Sequence, residues 1–261
     1  MLLIVVPFGN FREAERREAQ RVAFIEHMKK HFDGQDIHVV ISEQKKPVQF
    51  FNRGQVLNLG VDWAVKHIGV PDVIVFHDVD MLPNRKLMQQ YYGPYEAKQL
   101  LPMSETQRKI YSFQVRIGGG ISGFSYATFQ KMNGYPNFFW GWGGEDDAVS
   151  QRLQRIGVRP IYNKYGDYKS TDEQRKDHAS KMAYLKKNNL RNMLVWEMLK
   201  EDKARWRTDG YNALSTLHTR EVSCETLFDR KNSKGQRLVI TQVAFDLDET
   251  SMATAVAHDA Y

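Results

Sequence analysis

Val73-Ile74-Val75-Phe76-His77-Asp78-Val79-Asp80 is the stretch that decides the fold class. Its first four residues form an unbroken apolar run rich in β-branched side chains, the mark of a strand covered on both faces, as in parallel sheets. The run ends in two carboxylates spaced two residues apart. In extended chain such side chains point the same way, so Asp78 and Asp80 face one site. A bare pair of this kind also caps turns on ordinary surfaces. Here it follows a buried strand and precedes Met81-Leu82-Pro83, which favours a site at the strand's end. Two hard carboxylate ligands suit Mn²⁺, with Mg²⁺ as the alternative, ions that bridge protein carboxylates to phosphate oxygens.

Toward the amino terminus the pattern alternates. Leu2 to Val6 is a second apolar strand that ends at Pro7-Phe8-Gly9-Asn10, and Glu13 to Phe32 has the spacing of an amphipathic helix. Ile37 to Ile41 is another strand, and Asn52 to His67, with Val56, Leu59, Trp63 and Val65, another helix. Strand, helix, strand, helix, strand predicts right-handed crossovers and an α/β fold on a mostly parallel, Rossmann-like sheet flanked by helices. Ligands in such sheets bind beyond the carboxyl ends of the strands.

Toward the carboxyl terminus, Lys86 to Lys109 is polar and gives no clear element. Gly118-Gly119-Gly120-Ile121-Ser122-Gly123 lacks the Gly-Lys-Ser/Thr of a nucleotide-binding P-loop. It reads as backbone passing close to a ligand, then a short strand from Ile121 to Phe124. Phe139 to Asp147 spells FWGWGGEDD, two tryptophans among three glycines followed by three acids. Glycine loosens the backbone and an indole is costly to leave in water, so the stretch predicts a mobile active-site loop with a surface to cover. A glycine turn before a capped surface helix would account for Glu145, Asp146 and Asp147, but not for Trp140 and Trp142. The acids open a helix whose stripe is Val149, Leu153 and Ile156. Tyr162 to Lys176 reads as a long polar loop, Lys181 to Arg207 as a basic helical stretch, and Leu238 to Val243 as a strand. Residues 1–250 are expected to form one domain and 251–261 a flexible tail.

Composition narrows the partners. With 261 residues, 42% of them hydrophobic, and a net charge of +6, the chain can bury a large core and attract an anion such as a nucleotide diphosphate. Its lysines and arginines are scattered and no nucleic-acid-binding motif accompanies them, so nucleic acid is not an expected partner. The single cysteine, Cys224, excludes an intrachain disulfide. No run approaches the ~20 apolar residues of a membrane span, and Leu2 to Val6 is too short for a signal-peptide core. No spacing points to Ser/His/Asp or Cys/His catalysis.

Taken in order, Pro7-Phe8, the FNR of Phe51 to Arg53, the HDVDMLP of His77 to Pro83, the GGISGF of Gly119 to Phe124, the NGYPNFFWGWGGEDD of Asn133 to Asp147 and the DGYNAL of Asp209 to Leu214 resemble the β-1,4-galactosyltransferase family. The resemblance runs from about Val5 to Val243, and the tryptophan–glycine–acid stretch is its most specific part. It implies a GT-A glycosyltransferase fold and inverting transfer of galactose or N-acetylgalactosamine from a UDP-sugar to a sugar hydroxyl of a glycan or glycoside, using Mn²⁺. A protein of this fold that binds sugar nucleotides without catalysis is the competing reading.

Carried onto this chain, the resemblance makes Asp146 the base that deprotonates the acceptor, with Glu145 and Asp147 holding loop and acceptor. Trp142 and Gly143 belong to the loop that closes over the donor. Phe8, Phe51 and Arg53 match nucleotide-binding positions, Asp78 the donor-sugar side, and Asp80 a metal ligand, with His178 the candidate for another. Gly119 and Gly120 match the paired glycines of the donor site, which puts Ile117 against the sugar's C2 substituent; sliding by one glycine would put Arg116 there. Departures are visible too. Gly9 and Phe11 stand where the family has arginines, Arg12 falls one step later, and the family's methionine ligand is absent at its spacing. Without the usual disulfide cysteines or an amino-terminal anchor, the expectation is a cytoplasmic enzyme from a microbe or virus.

Overall fold

The computed structural model describes residues 1–10, 13–31, 36–107, 109, 117–172, 178–187, 194–248 and 252. Its central strand is β1 (Leu2–Phe8), buried along its whole length and paired in parallel with β2 (Ile37–Lys46) on one side and β3 (Val73–His77) on the other. Alternation along β1 splits the core into two halves. Leu3 and Val5 pack on the side of α2 (Arg53–His67), whereas Leu2, Ile4, Val6 and Phe8 meet Phe24, Ile25 and Met28 of α1 (Ala14–His31). The sheet is thus sandwiched between the two crossover helices. Asn52 caps α2, its side chain accepting the Gln55 N–H at 2.9 Å. Gly60 lets that helix lie directly on β1, since a Cβ there would sit 2.6 Å from Val5 Cγ1.

Beyond β3 come β4 (Met81–Pro83), a single turn α3 (Arg85–Met88), β5 (Ala97–Gln99), β6 (Ile121–Ser125), α4 (Tyr126–Lys131) and α5 (Glu145–Arg155). They are followed by β7 (Ile161–Tyr162), β8 (Tyr168–Ser170), α6 (His178–Lys187), α7 (Val195–Arg205), β9 (Arg220–Lys231) and β10 (Arg237–Asp246). Eight strands form one sheet in the order β7-β5-β6-β3-β1-β2-β10-β9. The pairs among β3, β1, β2 and β10 are parallel, while β6 and β9 run antiparallel to their neighbours, apart from a parallel β5–β7 edge. β4 and β8 make a separate antiparallel ribbon.

Several boundaries differ from those read in the sequence. β2 runs on to Lys46 through Ser42, Glu43 and Gln44, all buried, because Lys45 and Gln242 satisfy the Glu43 carboxylate at 2.7 and 2.6 Å. β9 has no counterpart in the sequence reading, β8 lies inside the stretch expected to be a loop, and β7 ends on that stretch's first residue, Tyr162. The basic stretch after Lys181 contains two described helices rather than one. The expected tail falls outside the described residues except for Met252, which packs against the core. Among the described residues no helix is long and apolar enough to cross a membrane.

Candidate active site

Everything converges beyond the carboxyl end of β3. Pairing of His77 with Ile121 lays the Gly118–Gly120 turn beside Asp78, whose N–H donates to the Gly120 carbonyl at 3.0 Å. Gly118 and Gly120 have φ of +110° and +65°, a region other residues enter at a cost. Gly119 does not. What it supplies is room, because a Cβ there would lie 3.0 Å from Asp146 Oδ2. The first turn of α5 therefore sits directly over the glycine turn.

Arg53, the first residue of α2, ties these pieces together. Its Nη2 and Nε donate to Asp78 Oδ1 at 2.9 and 3.3 Å, and Nη1 donates to the Gly118 carbonyl at 3.0 Å. The same Nη1 lies 3.7 Å from Glu145 Oε1, and the guanidinium stands over the Tyr135 ring. Tyr135 itself donates its hydroxyl to the Gly118 carbonyl at 2.7 Å. Burial pushes the Glu145 carboxyl up to about 7, the neighbouring Asp146 adds to the rise, and Arg53 opposes it. One guanidinium thus faces two carboxylates, Asp78 and Glu145, that are far apart in the chain.

The tryptophan loop separates its two indoles. Trp140 is buried in the core, and Gly141 N–H donates to the Phe51 carbonyl at 3.0 Å. Trp142 is 38% exposed. Gly144 (φ +94°) leads into α5, where a Cβ would press on Phe139 and on Val195 of α7. Next to Val195, Trp196 is 75% exposed. Trp196 falls within the stretch read as a basic helix, and its exposure beside the loop makes it a site candidate that periodicity could not reveal.

Other expected site residues fall as follows. Asp80 is half-buried, and its carbonyl accepts from the N–H and Oγ of Thr171 at 2.8 and 3.2 Å. Asp147 is exposed and Phe51 half-buried. Phe8 is fully buried beneath the guanidiniums of Arg17 and Arg21. Ile117 is buried in the core, with Ser150 Oγ 3.0 Å from both its N and its O. His178 opens α6, but its side chain lies outside the described residues, as do Phe11, Arg12 and Arg116. Among the described residues no three acidic, histidine or cysteine side chains gather as a complete metal cage. The pair Asp78 and Asp80 still supplies hard oxygen donors at one strand end, a set suited to Mn²⁺ or Mg²⁺ shared with a diphosphate.

The asparagine-rich motifs hold the site from behind. Arg152 of α5 is fully buried and donates to Asp202 Oδ1 from Nε and Nη2, at 3.1 and 2.5 Å, and to the carbonyls of Asn133, Gly134 and Asp209. Asp209 Oδ2 accepts the Asn137 N–H, and Asn133 donates to Asn212. Asn58 spans from α2 to Tyr135 and Asn137. NGYPN and DGYNAL thus form a buried polar frame that locks α5 against α2. A charged residue at position 152 of an amphipathic helix gave no sign of this in sequence.

Comparison with known proteins agrees with this architecture. Residues 2–92 match the family model described as the N-terminal region of glycosyl transferase group 7, and residues 103–174 the one described as the N-terminal domain of galactosyltransferase. Human β-1,4-galactosyltransferase 6 is 30% identical over 235 residues, 81% of this chain and 56% of that protein. The chain spans about half the length of the curated relatives it matches. The catalytic domain of Drosophila β-1,4-galactosyltransferase 7, solved with xylobiose, superimposes with a TM-score of 0.65 at 22% identity, covering 97% of this chain and 98% of that one. A mutant of that enzyme in complex with manganese, UDP-Gal and xylobiose gives 0.58 at 18% identity, covering 98% and 99%. Both likenesses speak for the fold, the GT-A glycosyltransferase fold.

They also correct one expectation. The cytoplasmic, microbial or viral assignment rested on missing cysteine pairs and a missing anchor, yet the relatives are enzymes of human, mouse, pig and rat. A chain that matches half of each such protein carries no information about an anchor outside the match. With both family models in place along the chain and relatives at 30% identity and above, the chain belongs to the β-1,4-galactosyltransferase family of group 7 glycosyltransferases.

Proposed function

We propose that this protein transfers galactose from UDP-galactose to a sugar hydroxyl, inverting the anomeric centre and forming a β-linkage.

 The observation that carries this reading is the meeting of Asp78 and Asp146 across Arg53 and the glycine turn, which puts a donor-side carboxylate and an acceptor-side carboxylate in one site. Asp146 takes the proton from the acceptor hydroxyl as that oxygen attacks the sugar's anomeric carbon, on the face opposite the departing diphosphate. Arg53 holds Asp78 and the Gly118 carbonyl in place and presents positive charge to the donor. A divalent ion bound by Asp80, with Asp78 beside it, would neutralise the charge that builds on the diphosphate. Trp142, on its glycine loop, covers the donor and keeps water away from it.

The relatives are named for galactose transfer, and the Drosophila enzyme was solved with UDP-Gal, manganese and xylobiose, which supports UDP-galactose, Mn²⁺ and a sugar acceptor here. The test is UDP release from UDP-galactose with Mn²⁺, with and without N-acetylglucosamine, xylose or glucose. Asp146→Asn should keep UDP binding and lose about a hundredfold or more in turnover. Near wild-type turnover in Asp146→Asn, with Glu145→Gln inactive, would assign the base to the other carboxylate.

A further inference from the structure

His77, the last residue of β3, is fully buried, and the proposed chemistry leaves it without a task. Its Nδ1 lies 2.9 Å from the carbonyl oxygen of Asp78. A carbonyl can only accept, so Nδ1 carries the proton and Nε2 is bare. Nε2 is buried and has no hydrogen-bond partner among the described residues, so the bond to Asp78 is the ring's one polar anchor there. Phe24 of α1 meets the imidazole edge-on with centroids 5.1 Å apart, and Tyr91 does so at 5.9 Å. The ring is thus clamped with its single donor aimed at one carbonyl.

That carbonyl also accepts the Met81 N–H at 3.3 Å, which closes the turn from Asp78 to Met81. The Asp78 N–H is fixed by Gly120 and the Asp80 carbonyl by Thr171. The orientation of the Asp78–Val79 peptide is what remains, and it sets where the Asp78 and Asp80 carboxylates point. We propose that His77 is a positioning residue for the donor site, its Nδ1–H holding the Asp78 carbonyl so that Asp78 and Asp80 face the diphosphate and its ion together. The proposal rests on the reading of that acidic pair as the donor side.

Nitrogen NMR of the wild-type protein, labelled at histidine, tests the geometry without any activity. The Nδ1–H tautomer with a slowly exchanging proton is expected; an Nε2–H tautomer overturns the proposal. Two variants test the consequence. Asn places an amide donor near the position of Nδ1, whereas Phe fills the space with none. His77→Phe should weaken Mn²⁺ binding in the presence of UDP by roughly tenfold or more, as lost support behind a metal ligand does. It should raise KM for UDP-galactose while changing kcat by less than about threefold, and His77→Asn should recover most of both losses. A role in stability alone would lower the melting temperature of either variant and leave Mn²⁺ and KM unchanged below it, and that result overturns the proposal. If wild-type protein binds no UDP with Mn²⁺, the donor-side reading itself fails; if only His77→Phe behaves as wild type, that reading stands and this one falls.

Discussion

Replacing Gly119 by alanine should slow the enzyme while making it slightly more stable. Gly119 has a backbone φ outside the left-handed region, so alanine fits there without strain. Such a replacement stabilises by about 0.4–1 kcal/mol, through the unfolded chain. The new methyl, however, would lie 3.0 Å from Asp146 Oδ2, and 3.7 and 3.8 Å from its Cβ and Cγ. Only the oxygen is too close, so the carboxylate must turn away by a few tenths of an ångström. A misplacement of about 1 Å can cost a hundredfold in rate, so this smaller one should cost roughly three- to tenfold in kcat, or about 1 kcal/mol in the barrier. Initial rates of UDP release and a thermal melt on the same preparation read both effects. Unchanged kcat in a fully folded Gly119→Ala protein would refute the placement of the working base over this glycine.

Three further outcomes follow from the same geometry. The raised Glu145 carboxyl keeps its proton in the folded state while the unfolded chain ionises, so it makes stability fall as pH rises from about 4.5 to about 7. Glu145→Gln should remove that slope and gain on the order of 1–3 kcal/mol over wild type at pH 8, with no gain at pH 4, by urea denaturation at each pH. Asp202→Ala leaves Arg152 charged in a fully buried frame and should cost about 3–5 kcal/mol of folding free energy; a loss under about 1 kcal/mol in urea melts would show the frame is not a single unit. Ile117→Tyr fills the space expected beside the donor's C2 substituent, so kcat/KM for UDP-N-acetylgalactosamine relative to UDP-galactose should fall, by a factor equivalent to ~1–3 kcal/mol. A wild-type enzyme already strongly selective for galactose would contradict that use of Ile117.

The parts of the fold that could be read in sequence are those where burial writes a period. β1 and β3 are apolar on both faces because both faces are covered, and α5 shows its stripe because one side packs on the core. β9 is exposed over most of its length and carries Arg, Glu, Ser and Asp among its apolar residues, so it wrote no pattern. Glu43 and Arg152 broke the expected polarity for another reason. Their charges are buried but paired, which a local reading of hydrophobicity scores as surface. Trp140 and Trp142 look alike in sequence, yet one is core and the other stands exposed on the loop. The acidic cluster was legible because its spacing put Asp78 and Asp80 at a strand end and Asp146 in a helix's first turn. That Arg53 would join Asp78 to Glu145 depended on tertiary distances alone.

The stereochemistry of the product tests the central claim most directly. With UDP-galactose, Mn²⁺ and a sugar acceptor, proton NMR of the purified product reads the configuration of the new bond from the coupling of its anomeric proton. An acceptor hydroxyl that loses its proton to Asp146 and attacks from the face opposite the diphosphate predicts a β-linked galactoside from the α-linked donor, formed by the wild type and roughly a hundredfold more slowly by Asp146→Asn. An α-linked product, or UDP release that no acceptor accelerates, would contradict the account.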